Sequence, residues 1–147
     1  DAPLMPGTDD PEADAWEAAV ADHMAAIDED FVGVGHWVGG RTILKVIAQD
    51  RAPRTLRGVV TMAMPFWPDW GISSYAVPKD TGRLQDVPLI LYFSSDDETV
   101  AIDHLGRYSE MLPHATMRQV SGTGHLFDNA PFAEIARDIA ALFGDGR

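Results

Sequence analysis

The chain has 147 residues, a formal net charge of −12, 46% apolar residues and no cysteine. This length and apolar content are typical of one folded domain, which we expect to span residues 1–147. The negative charge argues against nucleic acid and anionic membranes as partners, because their phosphates would be repelled. Without cysteine there is no disulfide, thiolate nucleophile or thiolate metal site.

The first half of the chain alternates helix and strand. Asp10 is a candidate N-cap, because it precedes a proline and then apolar residues at helical spacing. A short apolar run predicts the first strand, and a helical pattern follows it directly. The expected elements are a helix at 11–27, a strand at 31–34, a helix at 38–49, a strand at 57–64 and an aromatic loop at 65–70.

The second half continues the alternation. A nearly continuous apolar run at 87–93 predicts a strand that is buried on both faces. A helix at 101–112, a strand at 115–120 and a closing helix at 131–143 follow. Such alternation predicts an α/β fold, namely a three-layer arrangement with a parallel sheet between helices.

Ligands of parallel sheets bind outside the carboxyl ends of the strands, so any active site should lie in the loops that follow them. The first such loop contains Gly-His-Trp-Val-Gly at residues 35–39. Gly-x-X-x-Gly between a strand and a helix is the layout of a sharp turn that presents a nucleophile. Here the central residue is Trp37, whose indole has no ionisable nucleophilic group.

Two further segments complete a catalytic pattern. Ser-Ser-Asp-Asp-Glu-Thr-Val at residues 94–100 follows the third strand, and Ser-Gly-Thr-Gly-His-Leu-Phe at residues 121–127 follows the fourth. Nucleophile, acid and then histidine is the chain order of one class of hydrolases. In that chemistry the acid orients the imidazole, and the imidazole acts as general base.

These motifs resemble those of the α/β-hydrolase superfamily. Residues 35–40 are similar to its Gly-His-Ser-x-Gly-Gly elbow, and residues 87–92 with Asp97 are similar to its acid strand and turn. Residues 112–115, followed by Gly-His at 124–125, resemble its histidine loop. The Met-Pro-Gly opening and the first helix look most like small single-domain serine hydrolases related to retinoblastoma-binding protein nine.

The resemblance implies hydrolysis of a small-molecule carboxylic ester without a cofactor. It gives Asp97 the role of the acid and His125 that of the base, with Asp96 as the fallback acid. The N–H of Val38 matches the oxyanion donor that follows the nucleophile, and Trp37 stands at the nucleophile position.

Further residues are expected around the site. His36 is expected to pack or hydrogen-bond beside the elbow. Phe66, Trp67 and Trp70 form an aromatic loop that could line a substrate pocket, and could equally be a core plug or an interface patch. No pair of histidines has convincing metal-ligand spacing, so no metal site is expected.

A second departure from the family concerns the amino end. In these hydrolases a strand and an oxyanion-loop segment precede the Met-Pro-Gly region, whereas almost nothing precedes it here. Loss of one oxyanion donor typically costs about 10²–10³ in rate. We therefore expect a poor or inactive esterase. A sheet without its first strand would also leave an edge open, which invites a homodimer.

Trp37 is bulky for a strained elbow, so it should either relax the turn or lie across the mouth of the pocket. The glycines of this turn could also suggest a dinucleotide site, but Val38 stands where the third glycine of that fingerprint should be. Ser94, Ser95 and Ser121 are alternative nucleophiles near the acid and the histidine, although none occupies an elbow.

Two hypotheses remain open from sequence. One is a serine hydrolase that lacks its nucleophile, and the other is a non-catalytic protein that binds a ligand or partner on the same fold. Because no apolar stretch is long enough to span a bilayer and no signal peptide is visible, the expected location is the cytoplasm.

Overall fold

The computed structural model describes residues 1–66, 76 and 82–144. Helices and strands alternate along these residues. In chain order they are α1 (Ala13–Ala25), β1 (Phe31–His36), α2 (Val38–Ala48), β2 (Leu56–Met62), a short 3-10 helix (Gly82–Asp86), β3 (Leu89–Ser94), α3 (Asp103–Met111), β4 (Thr116–Val120) and α4 (Phe132–Leu142).

The four strands form one parallel sheet in the order β1-β2-β3-β4. Val60 illustrates the register, since it is paired with Val34 of β1 on one side and with Ile90 of β3 on the other. The carboxyl ends of all four strands therefore lie along one edge of the sheet. The prediction of a parallel α/β sheet is confirmed.

Alternate residues of β3 build the two cores. Leu89, Leu91 and Phe93 face a core shared with α1, α2 and α3, whereas Ile90 and Tyr92 face a second core shared with α4. All six residues of β3 are buried, as the unbroken apolar run predicted. Helices consequently cover both faces of the sheet, which gives the three expected layers.

The amino end differs from the prediction. Helix α1 begins at Ala13 with Glu12 at its N-cap, not at residue 11 with Asp10 as cap. Asp10 instead closes a turn, in which its N–H donates to the Gly7 carbonyl over 3.0 Å and Gly7 has φ of 56°. Because Asp10 is part of this turn, it does not cap α1.

A salt bridge and a hydrogen bond connect α4 to the sheet. The Arg118 guanidinium donates to both carboxylate oxygens of Asp138, at 3.0 and 3.2 Å, and the Tyr92 hydroxyl donates to the same carboxylate over 2.7 Å. The Arg118 hydrogen bonds lower the pKa of Asp138 below its ordinary value. Burial, followed by the Asp138 contact, raises the pKa of Tyr92.

In the described part of the chain, no helix is both long enough and apolar enough to cross a membrane.

Candidate active site

A single residue, Trp37, forms the turn between β1 and α2. Strand β1 ends at His36 and α2 begins at Val38. Trp37 has φ of 51° and ψ of −121°, a left-handed backbone that costs a residue with a side chain about 1–3 kcal/mol. Its N–H donates to the Met62 carbonyl over 2.8 Å, which fastens the turn to the end of β2. The turn is therefore a sharp, strained elbow, and the indole has not relaxed it.

Two glycines allow this turn to pack closely. A Cβ on Gly35 would lie 2.4 Å from the Cα of Gly40 and 2.5 Å from its N, far inside contact distance. A Cβ on Gly40 would lie 3.0 Å from the Cβ of Thr61. At Gly39, by contrast, a Cβ would meet nothing within 4 Å. The contact between β1 and α2 thus requires glycine at positions 35 and 40 and not at 39.

Asp97 and His125 form a hydrogen-bonded pair between the turns that follow β3 and β4. Nδ1 of His125 lies 3.0 Å from Oδ2 and 3.1 Å from Oδ1 of Asp97. The Asp97 side chain is 1% exposed, and its Oδ1 also accepts the N–H groups of Thr99 and Val100 at 2.8 Å each. Because an ionised carboxylate only accepts hydrogen bonds, Nδ1 of His125 carries a proton, and Nε2 of the neutral ring has a lone pair.

The neighbouring carboxylate, Asp96, has a different environment. Its Oδ1 accepts the Gly122 N–H over 2.9 Å and also the Ser94 hydroxyl. The Ser94 hydroxyl and the backbone N–H of Gly122 lower the pKa of Asp96 below its ordinary value. Asp96 therefore joins the turn after β3 to the turn after β4, whereas Asp97 contacts the imidazole. The hydroxyl of Ser94, one of the alternative nucleophiles, donates its hydrogen bond to Asp96.

Trp37 lies beside His125. The two ring centroids are 5.9 Å apart, and the ring planes meet at 86°. Trp37 is 38% exposed, so its indole is at the surface of the site and not buried in the core. The nucleophile position and the predicted base therefore meet at the carboxyl ends of the strands, and an aromatic edge faces the imidazole.

His36 also contacts the loop at residues 121–128, which carries His125 and is called the histidine loop from here on. Its Nε2 lies 2.7 Å from the His125 carbonyl oxygen, and the two imidazole rings are 5.1 Å apart. The Phe127 ring stands edge-on to His36 at 6.5 Å. Val38, the expected oxyanion donor, is the first residue of α2, and the first N–H groups of a helix have no partner within it. Such groups suit a developing negative charge.

Solved structures share this architecture. The esterase domain of a Rhodothermus marinus protein is 20% identical with a TM-score of 0.66, over 86% of this chain and 66% of that one. The ydeN gene product of B. subtilis is 15% identical with a TM-score of 0.73, over 95% and 79%. A CIB-like hydrolase from Thermoplasma acidophilum is 18% identical with a TM-score of 0.68, over 92% and 63%.

The chain has an α/β-hydrolase-type fold. It spans about two thirds of the length of the Rhodothermus esterase domain and of the Thermoplasma chain. No protein-family model matches the sequence, and no curated protein is significantly similar to it.

The aromatic loop after β2 is described only in part. Trp67 and Trp70, two of the expected pocket residues, lie outside the described residues. Phe66 packs edge-on against Tyr108, with ring centroids 5.0 Å apart, and its N–H donates to Nδ1 of His104 over 2.8 Å. Its ring packs against the main core.

Sequence reasoning missed a buried ion cluster behind the hydrolase-type elbow. Arg41 and Glu17 are almost fully buried, and Glu17 contacts Lys45 at 2.7 Å and Arg41 at 3.7 Å. A charged residue on the apolar face of α2 was the available signal, since burial of a charge requires a partner. Within the described ranges, no group of three His, Asp or Glu side chains is arranged to hold a metal ion.

Proposed function

We propose that this chain is a serine-hydrolase framework for small carboxylic esters in which Trp37 occupies the nucleophile position, so that hydrolysis is lost or strongly impaired. One observation carries the proposal. The Asp97–His125 pair is complete, with Nδ1 of His125 3.0 Å from the carboxylate, and it faces an elbow that keeps its strained backbone.

The chemistry that this geometry supports is a two-step acyl transfer. A serine hydroxyl at position 37 would attack the ester carbonyl while Nε2 of His125 takes its proton, and Asp97 would stabilise the imidazolium. The imidazolium would then protonate the departing alkoxide. Water, activated by the same imidazole, would release the acid from the acyl-enzyme. The N–H of Val38 would stabilise the oxyanion in both steps. An indole cannot perform the attack.

The test is covalent labelling with a fluorophosphonate, which reacts with an activated serine. The unaltered chain, Trp37→Ser and Trp37→Ala are compared by intact mass and peptide mapping. We expect an adduct only on Trp37→Ser, at position 37. Trp37→Ala is the matched control, because it removes the indole without supplying a hydroxyl.

Two results would contradict the proposal. If Trp37→Ser is folded but unlabelled, the oxyanion side is also lost, which favours the binding function below. If the unaltered chain is labelled, another serine is the nucleophile and the elbow assignment is wrong.

A second candidate function is non-catalytic binding of a ligand or partner. The observation that favours it is the half-exposed indole of Trp37, which stands edge-on to His125 and offers an apolar contact at the site. Calorimetric titration of the unaltered chain and of Trp37→Ala with a non-hydrolysable ester analogue tests it. Binding that requires Trp37 supports this function, and equal binding by both chains contradicts it.

A further inference from the structure

The histidine loop reaches across the sheet to form the site. Among the strands that the structure describes, β1 and β4 are the outer two, and β2 and β3 lie between them. Since neighbouring strands lie about 4.8 Å apart, the end of β4 is on the order of 14 Å from the elbow. The loop at 121–128 must therefore lean over two strand ends to bring His125 beside position 37.

The loop contains one strained residue, Phe127. Gly122, Gly124 and Phe127 all have positive φ, at 75°, 56° and 56°. For a phenylalanine this conformation is unfavourable and persists only where surrounding contacts impose it. Contacts from neighbouring elements can supply such support for the loop that carries His125.

Two contacts hold His125 from different sides. Asp97, after β3, binds the ring at Nδ1, and His36, at the end of β1, binds the backbone carbonyl of the same residue over 2.7 Å. We propose that His36 is a positioning residue, which holds the histidine loop over the elbow by donating its Nε2–H to the His125 carbonyl. This inference rests on the proposed function, because it deepens the role of the same site.

Two different hydrogen bonds place the protons of the two rings. A carbonyl oxygen only accepts, so Nε2 of His36 carries a proton. In His125 the carboxylate of Asp97 requires the proton at Nδ1. In their neutral forms the two imidazoles therefore hold opposite tautomers, which leaves Nε2 of His125 with the lone pair that the proposed base needs. The hydrogen bond of His36 goes to the backbone of His125, and the His36 ring also lies 5.1 Å from the His125 ring.

His114 provides a matched control elsewhere in the molecule. Its Nε2 lies 2.8 Å from the Leu84 carbonyl oxygen, so it makes the same kind of bond away from the elbow. If loss of any histidine–carbonyl bond loosens the fold in general, His36 and His114 variants behave alike. If His36 positions the base, they differ.

The first experiment needs no catalysis. In the otherwise unaltered chain, His36→Phe keeps an aromatic ring but has no N–H, and His36→Gln restores a donor. Proton NMR follows the downfield Nδ1–H resonance of His125 in its bond to Asp97. We expect the resonance to broaden and exchange faster in His36→Phe, and to persist in His36→Gln and in His114→Phe.

The second experiment measures fluorophosphonate labelling rates in the Trp37→Ser background. A misplaced catalytic group can cost about 10²-fold, so His36→Phe should label about 10–100-fold more slowly, with His36→Gln partly recovered and His114→Phe unchanged. If His36→Phe fails to fold by circular dichroism, His36→Met, which also lacks a donor, takes its place.

An unchanged Nδ1–H resonance and an unchanged labelling rate in the folded donor-free variant would overturn the inference. Equal effects of the His36 and His114 variants would overturn it as well. If Trp37→Ser is not labelled at all, the proposed function fails, and the NMR experiment on the unaltered chain still decides the role of His36.

Discussion

Glycine at position 35 should be required for stability, whereas glycine at position 39 should not. A methyl group on Gly35 would lie 2.4 and 2.5 Å from backbone atoms of Gly40 and 2.9 Å from the carbonyl carbon of Gly39. Backbone atoms cannot rotate away as a side chain can, so β1 and α2 would have to separate. Gly35→Ala is therefore an overpacking substitution at the junction of the two elements.

The expected size follows from this geometry. Overpacking in a core costs typically about 1–3 kcal/mol, and rigid backbone neighbours place Gly35→Ala at about 3 kcal/mol or more. A domain has only about 5–15 kcal/mol of stability in total. Gly39 lies in helix α2 with open space around it, so Gly39→Ala should be neutral or stabilise by up to about 1 kcal/mol.

Urea unfolding followed by far-ultraviolet circular dichroism measures both variants. With a slope of about 2 kcal/mol per molar urea, Gly35→Ala should unfold at a midpoint lower by about 1.5 M or more. Gly39→Ala should not move below the unaltered chain. Equal midpoints for the two alanine variants would refute the reasoning, because it depends on the difference in space at the two positions.

Three further predictions concern other parts of the molecule. In the Trp37→Ser background, Asp97→Asn should slow fluorophosphonate labelling by about 10⁴-fold through the wrong imidazole tautomer, and Asp96→Asn should not; equal effects would contradict the assignment of the acid. Because folding raises the pKa of Tyr92, its contribution is present below about pH 10 and is lost as pH rises further. Above that pH, the melting temperature of Tyr92→Phe should therefore fall less than that of the unaltered chain. If the melting temperatures of both chains fall equally with pH, this prediction is wrong. Finally, in the described part of the chain β1 has a strand neighbour on one side only, and we propose that this edge pairs two copies of the chain. Val34→Lys, at a position 48% exposed, should then convert a sedimenting dimer to a monomer. A clean monomer of the unaltered chain at high concentration would remove that proposal.

Much of the architecture was predictable because the apolar pattern is strong. The unbroken run in β3 predicted a strand buried on both faces, and the order of the motifs predicted which loops would meet. The short 3-10 helix at Gly82–Asp86 was not predicted, since Leu84 is its only buried residue and one apolar side chain gives no periodicity.

The details of the site were less accessible from sequence. The Asp96–Asp97 pair gave a one-residue ambiguity, and only the side-chain contacts in the folded structure show that Asp97 faces His125. The bond between His36 and the His125 carbonyl joins residues 89 positions apart, and a carbonyl acceptor has no sequence signature. Contacts of this kind depend on tertiary structure and cannot be read from a local pattern.

The two halves of the site should open on different timescales. The acid follows β3, which is central and completely buried, whereas the elbow follows β1, which among the described residues has a strand neighbour on one side only. Amide hydrogen exchange is governed by local opening, which is easiest where backbone groups lack protection. Amides of β1 should therefore exchange sooner than those of β3, and transient detachment of β1 would separate position 37 from a histidine loop still anchored to the sheet centre by Asp97.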